Sequence, residues 1–166
     1  MIQLKAIYHQ TGRLTAAVFI SGLLLLSGCG KIDVFEKTTT IPEHQWKASF
    51  KPSFSFDIED TSQLYKAYIT VRHSDAYKYQ NLYVKVSHRL PGSDSTISGM
   101  VNIQLADNSR GWFGSGMDDI WTYRFPLNTV PARLSKGIHT FTIEQVMRDN
   151  PLQHIMNIGI RVEKAP

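Results

Sequence analysis

The chain has one cysteine in 166 residues, so neither an intrachain disulfide nor a cluster of thiolates around a metal can support its fold. It lacks a run of about twenty apolar residues, the length a helix needs to cross a bilayer. It also lacks any long segment of 3.6-residue periodicity, which leaves little room for extended amphipathic helices. Signatures of catalysis are missing as well. The histidines form no H-E-x-x-H or H-x-x-x-H pair, and no serine stands in a G-x-S-x-G context. The run Gly111-Trp112-Phe113-Gly114-Ser115-Gly116 is not followed by the lysine of a phosphate-binding loop. Charge of one sign is nowhere concentrated, Lys85 and Arg89 being the nearest approach to a basic stripe, so nucleic acid is not an expected partner. There is no internal repeat and no low-complexity tract. The expectation is that the protein is not an enzyme.

What is present begins at the N-terminus. Lys5 and Arg13 precede a 13-residue apolar stretch from Leu14 to Leu26, which is followed by the small residues Ser27 and Gly28 and then by the lone Cys29. Basic, apolar and small residues in that order are the parts of a cleavable export signal. Leu26-Ser27-Gly28-Cys29 reads as a lipobox, and the whole stretch resembles the signal of bacterial lipoproteins. That resemblance implies cleavage before Cys29, with residues 1–28 removed as a signal peptide. It also implies a covalent diacylglycerol and an N-acyl chain on Cys29, with no other cofactor. Each buried methylene contributes about 0.8 kcal/mol, so several chains on one residue should make membrane release very slow. The mature chain of 138 residues suits one domain and carries sixteen basic against fourteen acidic side chains.

Residues 30–45 are polar and without sustained periodicity, so residues 29–45 are expected to be the lipidated cysteine and a tether reaching at most about 50 Å. Residues 46–166 are expected to form one domain. There the pattern alternates with period two: Phe54, Phe56 and Ile58; Ala67, Ile69 and Val71; Leu82, Val84 and Val86; Ile97, Val101, Ile103 and Leu105; Trp121, Tyr123 and Phe125; Phe141 and Ile143; Ile158, Ile160 and Val162. Pro91-Gly92-Ser93-Asp94, Pro126 and Lys136-Gly137 punctuate it. About seven strands of this kind predict an all-β fold, a single antiparallel β-sandwich of jelly-roll or Ig-like type. Helix should be confined to short turns, near Met117 to Ile120 or after Asn150.

Few residues stand out for chemistry. His73 and Asp75 lie two apart on one strand face, but two ligands make a poor zinc site. The acids Asp57, Glu59 and Asp60, and the pair Asp118-Asp119, border turns, where carboxylates are common loop formers. Trp112 and Phe113 in the Asp107–Gly116 loop, with Trp121 nearby, read either as caps on the open end of the core or as a binding surface. In the second case Trp112, Phe113 and Trp121 with Asp118 and Asp119 would form the candidate surface, for a protein or a glycan. Tyrosines 65, 68, 77, 79 and 83 are expected in cross-strand packing. Asp94-Ser95-Thr96 reads as a plain turn before a possible O-glycan acceptor.

Several segments together resemble one family. Tyr77-Lys78-Tyr79-Gln80-Asn81-Leu82, the loop Gly111 to Gly116, Phe141 to Arg148 and Ile158 to Lys164 occur in the order and spacing of the gliding motility lipoprotein GldH family, lipobox included. The resemblance implies an envelope lipoprotein of gliding bacteria and their non-gliding relatives, associated with the surface-gliding apparatus and linked to type IX protein secretion. Its implied partners are the membrane, through the lipid, and proteins of that apparatus. It carries over no catalytic residues; only Cys29 receives a defined role. Gly30 stands where an aspartate would favour inner-membrane retention, and Lys31 to Glu36 lacks a dense acidic run. The expected location is therefore the outer membrane, facing the periplasm.

Overall fold

The computed structural model describes residues 34–165. The signal peptide and the lipobox, Leu26, Ser27, Gly28 and Cys29, lie outside the described residues. Eight strands of six or more residues carry the fold: β1 (Val34–Thr40), β2 (Ser53–Ile58), β3 (Tyr65–Ser74), β4 (Asn81–Arg89), β5 (Thr96–Gln104), β6 (Ile120–Pro126), β7 (Gly137–Gln145) and β8 (Ile155–Lys164). Their pairing is nested. First pairs with last, second with seventh, third with sixth and fourth with fifth, all antiparallel. Cross-links between β8 and β3 and between β7 and β4 complete two sheets, β1-β8-β3-β6 and β2-β7-β4-β5, the first widened by a short strand at Ser115–Met117. A long hairpin rolled up this way is a jelly roll, so the structure decides between the two sandwich types the sequence left open.

The sheets share one core. Phe54, Phe56 and Ile58 of β2 alternate strictly with exposed Ser53, Ser55 and Asp57, and meet Ile69, Val71, Ile158, Ile160 and Val162 of the other sheet within a single buried cluster. All seven strands expected from alternation are present. Among the described residues the only helical element is a 3₁₀ turn at Pro42–His44. The expectation of helical turns near Met117 and after Asn150 is corrected: those segments are a tight β-hairpin and a two-residue strand, Leu152–Gln153, paired with Gln45–Trp46.

The expected tether is the larger correction. Residues 34–40 form the first strand, and Ile41 behind it is fully buried. Period-two alternation fails to reveal β1 because it is an edge strand. On its inward side only Phe35 is apolar, Lys37 and Thr39 following it, so it covers the core at its two ends alone. Its outward side is held by charge. Glu36 Oε2 accepts from Arg161 Nη1 of β8 at 2.6 Å and from Arg124 Nη2 of β6 at 3.2 Å. Its Oε1 accepts from Arg124 Nε at 3.2 Å and from the buried Thr70 hydroxyl of β3 at 3.3 Å. One carboxylate thus ties four strands together. Gly159 lies between them in β8, where an added Cβ would stand 2.5 Å from the Lys37 carbonyl oxygen and 2.6 Å from Thr38 Cγ2. The absent side chain lets β1 lie flat.

Candidate functional site: an apolar cleft at the terminal end

At one end of the sandwich the two sheets part around a cleft of about 270 Å³. Phe56, Val86 and Phe141 come from one sheet, Tyr65, Ala67 and Val162 from the other, and residues 127–134 lie across the opening. That crossing segment is fixed along β3 where β6 stops at Pro126. Leu127 N–H donates to the Ala67 carbonyl, and Ala132 and Tyr65 exchange main-chain hydrogen bonds. Asn128 substitutes for the missing ladder: its Oδ1 accepts from Ala67 N–H at 2.7 Å and its Nδ2 donates to the carbonyls of Tyr65 and Val130.

Three rings on one wall, His88, Phe141 and Phe56, are backed by the buried His139. His88 stacks on Phe141 with centroids 4.1 Å apart, Phe141 lies parallel to Phe56 at 5.9 Å, and Phe56 stacks on His139 at 5.6 Å. The two histidines also share a hydrogen bond of 3.0 Å between His88 Nε2 and His139 Nδ1. His139 Nε2 lies 2.8 Å from the Ser135 carbonyl, so that nitrogen carries the proton and donates. One proton then lies between His139 Nδ1 and His88 Nε2, and either ring can carry it. Burial, with His139 a second cause, pushes the His88 imidazole below its ordinary pKa. This wall of the cleft is therefore largely stacked ring surface. Its chemistry is that of a receptor for an apolar group.

The residues singled out from the sequence lie elsewhere. Residues 106–107 and 111–112 form a small ribbon, and Asp107 organises its turn. Hydrogen bonds from the Ser109 hydroxyl and the Arg110 N–H hold the Asp107 carboxyl down at a pKa of about 2. On that ribbon Trp112 meets the His73 ring edge-on at 4.6 Å and is packed against the core. Phe113 meets Tyr123 at 5.8 Å and has the Arg110 guanidinium over its ring, 5.0 Å from the centroid. Trp121 is the ladder neighbour of His73, and its indole covers Gly116, where a Cβ would stand 2.9 Å from the ring. Asp118 and Asp119 are exposed in the two-residue turn between Met117 and Ile120, Asp118 at φ 54°, a conformation aspartate tolerates better than most residues. The structure thus sets Trp112 against the His73 ring and Trp121 beside His73 in the ladder, and leaves the two acids at the hairpin tip. His73 itself is fully buried, its Nδ1 2.8 Å from the Ser74 carbonyl and its Nε2 without a partner. Among the described residues no three His, Cys, Asp or Glu side chains group as metal ligands would.

The cleft was missed from sequence. Half its signal was readable, because His88 continues the inward series Leu82, Val84 and Val86, and His139 precedes Phe141 and Ile143 at the same spacing. What cannot be read is that β4 and β7 are neighbours, which brings residues 51 positions apart into contact.

Comparison with known proteins gives the wider setting. The GldH lipoprotein family matches residues 33–162, from the residue before β1 to the end of the core-facing part of β8. The chain belongs to the GldH lipoprotein family. Two relatives agree with this over nearly their whole length. The gliding motility lipoprotein GldH homolog of Christiangramia forsetii is 25% identical over 155 residues, covering 89% of this chain and 94% of that protein. The gliding motility lipoprotein GldH of Flavobacterium johnsoniae is 21% identical over 156 residues, covering 90% and 96%. The GldH match includes β1 in full, as expected if that strand is part of the domain rather than a linker. As a member of a lipoprotein family, the chain is a membrane-anchored component of the cell envelope.

Proposed function

We propose that this protein is a non-catalytic accessory component of an envelope machine, the gliding and type IX secretion apparatus, and that it acts through protein contacts while held at a bilayer by acyl chains on Cys29. Membership of a family whose relatives are named for gliding motility supports the setting. The observation that carries the reading is where β1 begins. Only Gly30 to Asp33 separate Cys29 from Val34, and five Cα steps reach at most about 18 Å. A domain held so close to the membrane meets membrane-bound partners at high effective concentration, so a modest interface suffices. Gly30 after the cysteine, and the lack of an acidic run behind it, support placement on the outer membrane facing the periplasm.

The test is genetic and biochemical. Deleting the gene in a host that glides should stop spreading and lower secretion of type IX cargo. Cys29→Ala should release the protein from the outer-membrane fraction and fail to complement the deletion. Unchanged gliding and secretion in the deletion strain would refute the role.

A further inference from the structure

We propose that the cleft takes one acyl chain of a phospholipid from the bilayer to which the protein is anchored. The inference rests on the acyl anchorage of Cys29 and goes beyond it, because anchorage alone requires no lipid within the fold.

Position comes first. The cleft lies at the end of the sandwich where the chain enters from the lipidated cysteine. Val162 on its wall is the ladder partner of Phe35, and the Phe35 ring lies 5.1 Å from Phe56 on the opposite wall. With an intervening segment of at most about 18 Å, this end is the one held at the bilayer.

The same end of the sandwich carries exposed apolar side chains. Five of the nine exposed large hydrophobic side chains among the described residues are at this end: Leu64, Leu90, Ile97, Val130 and Ile138, the last three 64, 74 and 62% exposed. Leu64 precedes β3, Leu90 follows β4, Ile97 is opposite His88, Val130 is in the segment crossing the cleft, and Ile138 is opposite Asp57 at the start of β7. Apolar side chains exposed at the same end as the cleft favour a contact with membrane or protein, and the lipid-bearing cysteine nearby favours membrane.

Size and wall complete the case. At about 30 Å³ for a water-sized group, 270 Å³ accommodates about nine methylene-sized groups, a good part of one fatty chain and far less than a folded protein segment with side chains. The stacked rings of His88, Phe141 and Phe56 offer such a chain a continuous contact surface.

The experiment uses the mature lipoprotein purified from its host membrane and reconstituted in vesicles of phosphatidylethanolamine and phosphatidylglycerol. A small fraction of the phospholipid carries a photoactivatable diazirine in one acyl chain. After illumination, peptide mapping should place adducts on residues 127–134 and on Phe56 or Phe141, besides those at the exposed Val130 and Ile138. Ala67→Phe, which places a phenyl ring in the cleft, should cut the Phe56 and Phe141 adducts at least fivefold with flotation unchanged. Ala132→Phe, on the crossing segment, should do the same without touching β3. Adducts confined to the exposed tips, or equal yields at Phe56 and Phe141 in all three proteins, would overturn the inference while leaving anchorage intact. A cleft filled by the protein's own acyl chain or by a protein segment gives no phospholipid adduct there and counts against it equally. A protein that does not float because its cysteine is unmodified overturns both readings.

Discussion

Replacing Glu36 by glutamine tests whether residues 34–40 belong to the fold. The carboxylate accepts from two guanidiniums and a buried hydroxyl, and about a quarter of its side chain is exposed (26%). Glutamine keeps one acceptor oxygen and the side-chain length, and loses the charge. A hydrogen bond to a buried charged group contributes about 1.5–3 kcal/mol and an exposed ion pair about 0.2–1 kcal/mol. Arg161 is mostly covered and Arg124 about half exposed, so Glu36→Gln should cost about 1–2 kcal/mol, or about 3–6 °C in thermal midpoint at this size. The pH dependence makes the test sharper. Burial alone would raise the Glu36 pKa, but Arg161 and Arg124 outweigh it and hold the carboxyl below the ordinary glutamate value. A carboxylate with a lowered folded pKa stabilises above its unfolded pKa, and that contribution is lost as the pH falls through the folded pKa. Melting curves by circular dichroism from pH 7 to pH 2.5 should therefore show wild type and Glu36→Gln converging at the acid end. Identical midpoints at pH 7, or a gap that persists unchanged at every pH, would refute the role assigned to this carboxylate.

Two further outcomes follow from packing and titration. Gly159→Ala drives a methyl group into the Lys37 carbonyl oxygen, so it should cost about 1–3 kcal/mol and open the 34–40 segment to limited proteolysis; an uncleaved variant of wild-type stability would contradict the close approach. Burial lowers the pKa of both His88 and His73, so the fold keeps them neutral while the unfolded chain takes up protons below about pH 6.5. Stability should thus be level above that pH and fall as the pH drops toward the folded values; in urea titrations at pH 7.5 and 5.5 the fall should be smaller for His88→Phe, and equal falls would count against this account.

How far the fold could be read from sequence depends on which side of each strand is covered. Strands with one buried face announce themselves: Phe54, Phe56 and Ile58 are buried at every second position as written. β1 does not, because an edge strand held outward by Glu36 and inward by Phe35 alone has no alternation to detect. Its loss also changed the inferred geometry, replacing a tether of about 50 Å by one of about 18 Å. The aromatic loop was legible as a feature but not in its placement. Nothing in Gly111 to Gly116 says that Trp112 will meet His73, 39 positions earlier in the chain, because that depends on the ribbon Asp107 folds. The cleft needs still more, since it exists only once β2, β4 and β7 of one sheet face β3 and β8 of the other.

The nested pairing has a consequence for biogenesis. The residues that close the first sheet are separated by almost the whole domain, as in the Arg161–Glu36 contact across 125 positions. Loop closure of that span is slow, and an export machine delivers the N-terminal end first. The opening segment must therefore wait, with its backbone amides and carbonyls unsatisfied, until the final stretch has emerged. A polypeptide ending prematurely before Ile155 would leave that ribbon permanently without its neighbour, exposed to pairing with another chain or to a protease.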